Sequence, residues 1–445
     1  MIANKEPLAI SEYNYLSEKR RVFMLIDSKS FYASVESVKR GLNPLKSILV
    51  VMSEQANTNG GLVLAASPTA KKQLGITNVM RQRDLPQDQR LVITHPRMNL
   101  YIQENLKINQ IYREYTTGDR VLPYSIDESI LDLTETWGFF GSTPEQVARQ
   151  IQERVRKETG IYLTIGIGDS PVLAKIALDI EAKHDKQLMG VWHYDDVPNK
   201  LWPITKLNDI WSIGNRTAVK LDKMGIHSVY DIAHQDPYFF RAKLGIIGEQ
   251  LYALSWGVDR TELTDVIVPK SKSYSNSQVL PRDYHKRDEI EVVIREMADQ
   301  VASRIRSHKK QTSLVSLFIG YSFAEAEKQG SHGFRKQLRI QPTNDTRNLM
   351  QIMITLFEKY WQGEVIRNIG IDYGGLIDDV GVQLDLFNQP EKQINNNKID
   401  KVVDELRKRF GTTAIMRAMS KAEGGTAINR ATLVGGHNGG NSYDG

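Results

Sequence analysis

The sequence contains no cysteine. That excludes disulfides, thiolate metal ligands and cysteine nucleophiles, and it accords with a cytoplasmic protein. No apolar run approaches the ~18 residues that a membrane span needs. The opening stretch MIANKEPLAISEYNYLSEKRR lacks the apolar core of a signal peptide. Neither sign of charge dominates, since 58 Lys and Arg face 53 Asp and Glu for a formal net charge of +5. That slight excess suits a polyanionic partner. No internal repeat is evident. What is present is a globular composition, 40% apolar and 25% charged, over 445 residues. One ordinary core does not organise so long a chain, so several domains are expected.

Residues 1–21 read as a peripheral polar extension. VFMLID (22–27) is a short apolar run ending on Asp27, and SFYASVESVKRG has helical spacing with a glycine stop at Gly41. SILVVM (47–52), GLVLAAS (61–67), RLVITHP (90–96), YSIDESILDL (124–133) and IYLTIGIG (161–168) read as strands, with amphipathic helices over 98–116 and 143–160. Alternating strands and helices predict an α+β sheet with helices on one face. Beyond Pro198 the texture changes to short helices separated by glycines (201–256), then a linker-like stretch (264–275). From 274 to 376 strands return with two helices (288–308 and 346–361), a second α+β unit rich in Lys and Arg. NQPEKQINNNK reads as a polar linker, 399–410 as one amphipathic helix, and the Gly/Asn-rich end as loose.

The carboxylates pose the chemical question. Asp27 ends one predicted strand, and Asp127 and Glu128 lie in another. Burying adjacent like charges is costly unless something compensates them. If the two strands are neighbours, three hard oxygen donors converge with no histidine or cysteine beside them. Such a set suits Mg²⁺, with Mn²⁺ a possible substitute, and two ions can serve phosphoryl transfer. Either motif alone could equally be a helix cap or a strand end near solvent. After Asp27 the chain turns directly into a helix whose free N–H groups favour phosphates. Phe31 and Tyr32 stand on that first turn, where a ring could lie beside a nucleotide sugar.

These residues carry a resemblance. IDSKSFYASVE resembles the first motif of the Y-family translesion DNA polymerases, D-x-D/N-x-F-Y-A-S-V-E. YSIDESILDLT is similar to their second, Y-S-I-D-E-x-F-L-D-x-T, and PRMNLYIQE to the helix segment before it. IGIGDSPVLAKIALDIEAK resembles their third, G-I-G-x-N-K-x-x-A-K-x-A-x-x-x-A-K. The likeness runs from about 22 to 260 and more loosely to 376, and is nearest the UmuC-like, ImpB/MucB/SamB-type branch. It implies a multidomain right hand: a ferredoxin-like palm (22–36 and 96–198) with fingers (37–95), a small helical thumb (199–263), a linker (264–273), an α+β little finger (274–378) and a tail (379–445). It also implies the roles. Asp27, Asp127 and Glu128 would be the catalytic metal-binding acids, with the carbonyl of Ser28 as a further ligand of two Mg²⁺ ions. Tyr32 would be the steric gate against ribose, with Ser30 and Phe31 beside the nucleotide. Lys183 and Lys72 would contact the triphosphate, with Thr69 standing where a tyrosine is usual. Lys29 departs from the family's usual Asp or Asn, and adds positive charge.

DIWSIGNRTAVKLDKMGI has the pattern of a helix–hairpin–helix turn, in which Gly214, Asn215, Arg216 and Lys220 would meet a DNA phosphate without reading sequence. A helical hairpin also needs a glycine for purely structural reasons. Arg282, Lys286, Arg287, Arg304, Arg306, Lys309, Lys310, Arg335, Lys336 and Arg339 would form a phosphate-tracking surface in the little finger. Gln383, Leu384, Asp385, Leu386 and Phe387 resemble the bacterial sliding-clamp pentapeptide. The resemblance implies error-prone, non-proofreading synthesis on primer–template DNA from dNTPs in DNA damage tolerance, with accessory or recombinase subunits as possible partners and no membrane role. Two rivals stay open at this point: a nucleotide cyclase with a similar palm, and a catalytically weak member that only occupies DNA or clamp.

Overall fold

The structure, a computed structural model, describes residues 15, 17–53, 61–266, 268–269, 272–380, 390–434 and 436–439. The first half holds strands β1 (Phe23–Ser28), β2 (Leu49–Met52), β3 (Val63–Ala66), β4 (Val92–Thr94), β5 (Val121–Pro123), β6 (Glu128–Asp132), β7 (Leu163–Gly168) and β8 (Met189–Trp192). Its helices are α1 (Phe31–Lys39), α2 (Pro68–Leu74), α3 (Met98–Tyr112), α4 (Pro144–Thr159) and α5 (Pro171–Ile176), the last running on as a π-helical turn over Ala177–Ala182.

Five strands form the palm sheet in the order β5-β6-β1-β7-β8, with β6 and β7 antiparallel to β1. The expectation of helices on one face is corrected. Met24 and Ile26 of β1 pack with Phe31, Ile108 and Ile151, whereas Phe23 and Leu25 pack with Ala174 and Leu178 of the opposite layer. The run FMLI is apolar without alternation because both faces are buried. Two glycines allow the second layer to lie close. A Cβ on Gly166 would stand 2.1 Å from the Ala174 carbonyl oxygen, and one on Gly168 would stand 2.4 Å from the Ala174 nitrogen. Sequence patterning missed this, because GIG reads only as a strand.

The fingers carry a small sheet, β3-β2-β4. The thumb is built of α6 (Asn215–Asp222), α7 (Val229–Ala233), α8 (Pro237–Leu244) and α9 (Ile246–Ser255), without a strand, as its glycine-punctuated sequence suggests. The "peripheral" extension is corrected where it is described. Tyr15 donates to the Trp256 carbonyl at 2.7 Å and stacks on Tyr194, and buried Arg21 donates to the carbonyls of Asp259 and Thr261.

The little finger comprises β9 (Tyr274–Tyr284), α10 (Arg287–Ser307), β10 (Lys310–Tyr321), α11 (Phe323–Gln329), β11 (Gly333–Thr343), α12 (Thr346–Tyr360) and β12 (Ile366–Asp378), with sheet order β11-β10-β12-β9. Helices α10 and α12 bury apolar stripes against one face of the sheet. The tail differs from its sequence reading. From Pro390 on, the Asn/Gln-rich stretch belongs to a helix, α13 (Pro390–Phe410), followed by α14 (Ala427–Arg430) and a two-stranded pair, β13 (Leu433–Val434) with β14 (His437–Asn438). No helix among the described residues is long and apolar enough to cross a membrane.

Candidate active site

The strand pairing brings the acids together. Asp27 of β1 stands directly opposite Glu128 of β6, and the Ser28 N–H donates to the Asp127 carbonyl at 2.9 Å. Asp127 is not within the strand. It lies in the tight turn before β6, where the Ser125 hydroxyl accepts from the N–H groups of Asp127 and Glu128 and donates to the Asp127 carboxylate at 2.7 Å. Burial pushes the Asp27 carboxyl up to about 6, Lys183 opposes the rise, and the like charges of Asp127 and Glu128 add to it. The rise is chiefly the cost of enclosing the charge, which Lys183 and Lys175 only partly offset. The three carboxylates do not yet form a closed ligand set, and among the described residues no three acids or histidines stand close enough to hold an ion. Each leans instead on a protein partner. The donor types and the penalised charge of Asp27 fit a divalent cation.

Those partners form a ladder of alternating charge. Glu128 accepts from Lys175 at 2.7 Å; Lys175 lies 3.3 Å from Asp179; Asp179 accepts from Lys183 at 2.7 Å; and Lys183 lies 3.9 Å from Asp27. Lys175, Asp179 and Lys183 are spaced i, i+4, i+8 along the helix that Gly166 and Gly168 admit to the sheet. Lys175 is nearly enclosed, its side chain only 7% exposed. Burial works against the charge of Lys183, but the bond it donates to Asp179 and the field of Asp27 outweigh it and raise its pKa. The sequence reading missed Lys175 and Asp179, although the K-x-x-x-D-x-x-x-K spacing inside the third motif was visible.

The phosphate-binding side is corrected at three positions. Lys71, not Lys72, faces the acids. Burial lowers the Lys71 pKa, and the groups acting on it are Asp27 and Lys183. Both lysines are exposed on α2, and of the two it is Lys71 on which Asp27 and Lys183 act. The Thr69 hydroxyl already donates to the Leu45 carbonyl at 2.6 Å, so its proton is committed within the fingers. The Phe31 ring is core, 2% exposed, which leaves only its backbone toward a ligand. Lys29 joins Lys71 and Lys183 around Asp27; burial lowers its pKa while Asp27 opposes that. Ser30 caps α1 in the left-handed conformation (φ 48°, ψ 49°), which costs a non-glycine residue about 1–2 kcal/mol. It aims the first turn of α1, whose N–H groups lack intrahelical partners, along the edge where Asp27 sits.

Tyr32 is half-buried and stacks on Tyr101 of α3, with ring centroids 4.4 Å apart and 14° between planes. The Tyr101 hydroxyl donates to Glu36 at 2.8 Å, and Glu36 is fully buried in a fork of Arg97 at 2.9 and 2.7 Å with Arg40 alongside. Burial pushes the Glu36 carboxyl up, but the bonds from Arg97, Arg40 and Tyr101 outweigh it and hold it below the usual range.

In the thumb, Asn215 and Arg216 open α6 and both are exposed, as is Gly214 before them. The turn's strained residue is Ser212 (φ 73°) rather than Gly214, whose φ is −79°. Lys220 donates to the Lys243 carbonyl at 3.4 Å and so ties the turn to the end of α8. The little finger's basic surface is smaller than its residue count suggests. Arg282, Lys286, Arg287 and Lys310 pair with acids, and Arg306 is buried on the helical layer. Arg335 and Arg339 remain exposed on the edge strand β11, with Lys336 half-buried between them. The pentapeptide Gln383–Phe387 lies outside the described residues.

A sheet-borne acid cluster, a helical thumb and a separate α+β unit define a nucleotidyl-transfer fold. The impB/mucB/samB family matches residues 26–179, its C-terminal domain 271–386 and its helix–hairpin–helix motif 194–226. The chain is 37% identical to UvrX of Bacillus subtilis (strain 168), named for UV-damage repair, over 95% of this chain and 99% of that protein. It is 35% identical to DNA polymerase IV 2 of the same organism, over 94% and 99% respectively. A solved Y-family DNA polymerase chimera, Dbh-Dpo4(243-245)-Dbh, shares the fold with a TM-score of 0.62 at 19% identity, over 80% of this chain and 99% of that one. The chain belongs to the impB/mucB/samB family of Y-family polymerases and is a DNA-directed DNA polymerase. Family membership sets aside the nucleotide-cyclase reading.

Proposed function

We propose that this enzyme copies damaged template DNA without proofreading, adding dNTPs to a primer at the β1–β6 edge. The observation that carries this reading is the juxtaposition of Asp27 and Glu128 under a ring of three lysines. Asp27, Asp127, Glu128 and the Ser28 carbonyl would hold two Mg²⁺ ions, or Mn²⁺ in their place. Bound there, the ions would supply Lewis acidity toward the primer 3′-hydroxyl and neutralise phosphate charge. The chain's own residues do the rest. Lys29, Lys71 and Lys183 offer ammonium groups to the triphosphate and its departing pyrophosphate. Lys175 fixes the Glu128 carboxylate, and Tyr32 closes the sugar side. Arg216 and the β11 edge hold template and primer through phosphates, so binding would fall steeply with salt. Gln383–Phe387 would tether the enzyme to a bacterial sliding clamp.

Primer extension across an abasic template, with Mg²⁺ and with or without the clamp, tests this reading. Bypass should occur, and the clamp should stimulate it. Extension that halts before every lesion would refute the translesion assignment.

Lys71 and Lys72 separate the phosphate contacts. Lys71→Ala should raise KM for dNTP about tenfold, the loss of one charge-assisted contact worth ~1.5 kcal/mol. Lys72→Ala should stay within about twofold of the parent, by the same conversion. Steady-state single-nucleotide insertion reads both, and the reverse ranking would restore Lys72.

A further inference from the structure

The tail is anchored at both ends to different parts of the hand. On the little finger, Arg306 grips Asp404 at 2.7 and 3.1 Å and Asp400 at 3.3 Å, and Asp400 also accepts the Thr346 N–H that opens α12. Further on, the N–H groups of Thr426 and Ala427 both donate to buried Glu296 at 3.0 Å, and Tyr284 donates to the Gly424 carbonyl at 2.8 Å. Gly424 lies flat on α10, where an added Cβ would stand 2.6 Å from that of Glu289. The chain then leaves for the palm. Val434 packs against the palm core that contains Met98 and Tyr101. Buried Gly439 accepts from the Asn99 N–H at 3.1 Å, at the start of α3.

We infer that the tail residues 424–434 and 436–439 act as a strap that fixes the little finger against the palm, in the arrangement in which the enzyme takes DNA. Gly439 lies only twelve positions beyond Ala427. Such a span reaches at most ~40 Å fully extended, and folding back as a hairpin shortens it. The other covalent link among these parts is the linker-like stretch 264–273. A second phosphate-binding surface held in place adds to the first without paying its ordering cost at each encounter. The affinity consequence rests on the DNA-binding reading above, whereas the seating of the strap does not.

The chain has no cysteine, so an introduced pair reports alone. The Asn99 side-chain nitrogen lies 3.2 Å from where a Gly439 Cβ would stand. The double variant Asn99→Cys/Gly439→Cys should form an internal disulfide under mild oxidation, seen as a gel-mobility shift that dithiothreitol reverses. The oxidised protein should bind primer–template within about twofold of the reduced form, and deletion of 431–445 should weaken binding by about tenfold at fixed salt. No disulfide in a protein that melts like the parent would overturn the strap. Binding lost on oxidation would mean that the strap must open for DNA. A deletion that folds and binds as tightly as the parent would also overturn it.

Discussion

Asp27→Asn should abolish primer extension, by at least about a thousandfold in kcat, while making the metal-free protein more stable. The two effects share one origin. Asp27 is largely enclosed, its side chain 17% exposed, beside two other carboxylates, and its pKa is pushed up to about 6. Above that pH the folded protein holds a charge that the unfolded chain carries freely in water. The cost is roughly 3 kcal/mol at pH 7.5, at ~1.4 kcal/mol for each tenfold change in proton affinity. The sign follows from the raised value: protons bind the folded form more tightly. The penalty is absent below the unfolded carboxyl range near 4, grows as pH rises, and is complete above about 6. Asparagine keeps the shape and removes the charge. The melting temperature of Asp27→Asn without divalent ions should therefore exceed that of the parent at pH 7.5 and converge with it near pH 4. Added Mg²⁺ should stabilise the parent but not the variant. DNA binding should survive, because the thumb and little finger are untouched. Appreciable extension by Asp27→Asn would remove this residue from the chemistry, and equal melting at every pH would show that its burial costs nothing.

What the sequence disclosed follows from what kind of pattern each feature leaves. That Asp27, Asp127 and Glu128 meet at one sheet edge was legible because charge at the end of or within an apolar run contradicts local propensity and so draws attention to its neighbours. The thumb was legible as glycine-punctuated helices without strands. The second layer over the palm sheet was not, because the close approach depends on the missing side chains of Gly166 and Gly168, and absence of bulk has no periodicity. Lys71 and Lys72 were indistinguishable because neighbouring helix positions differ by ~100° in direction and only the docked helix says which one comes under the influence of Asp27. The little finger's basic count overstated its free charge, since the partners of Arg306 lie about a hundred residues downstream in α13. The tail read as loose because most of its anchors are backbone groups: carbonyls of Gly424 and Gly439, and N–H groups of Thr426 and Ala427, with the Val434 side chain the exception. Any residue type supplies those.

Tyr32→Ala should admit ribonucleotides, improving rNTP over dNTP discrimination toward unity by on the order of a hundredfold. That is the equivalent of relieving ~3 kcal/mol of overpacking at the sugar. Insertion of dNTP should persist, since the ring is not required for charge or proton transfer. The structure adds a condition. A gate works only if it cannot swing away, and Tyr32 is held by its stack on Tyr101, whose hydroxyl is fixed by a fully buried Glu36 between Arg97 and Arg40. Aromatic stacking of this kind contributes about 0.5–1.5 kcal/mol beyond area burial. Tyr101→Leu should therefore loosen discrimination by about tenfold while retaining Tyr32 itself. Tyr101→Phe keeps the stack and loses only the bond to Glu36, so its discrimination should stay nearer the parent while its melting temperature falls. Single-nucleotide insertion of matched rNTP and dNTP by each variant ranks the three. If Tyr101→Leu discriminates like the parent while Tyr32→Ala does not, the gate stands without its buttress. If Tyr32→Ala itself discriminates like the parent, the sugar is read from another direction.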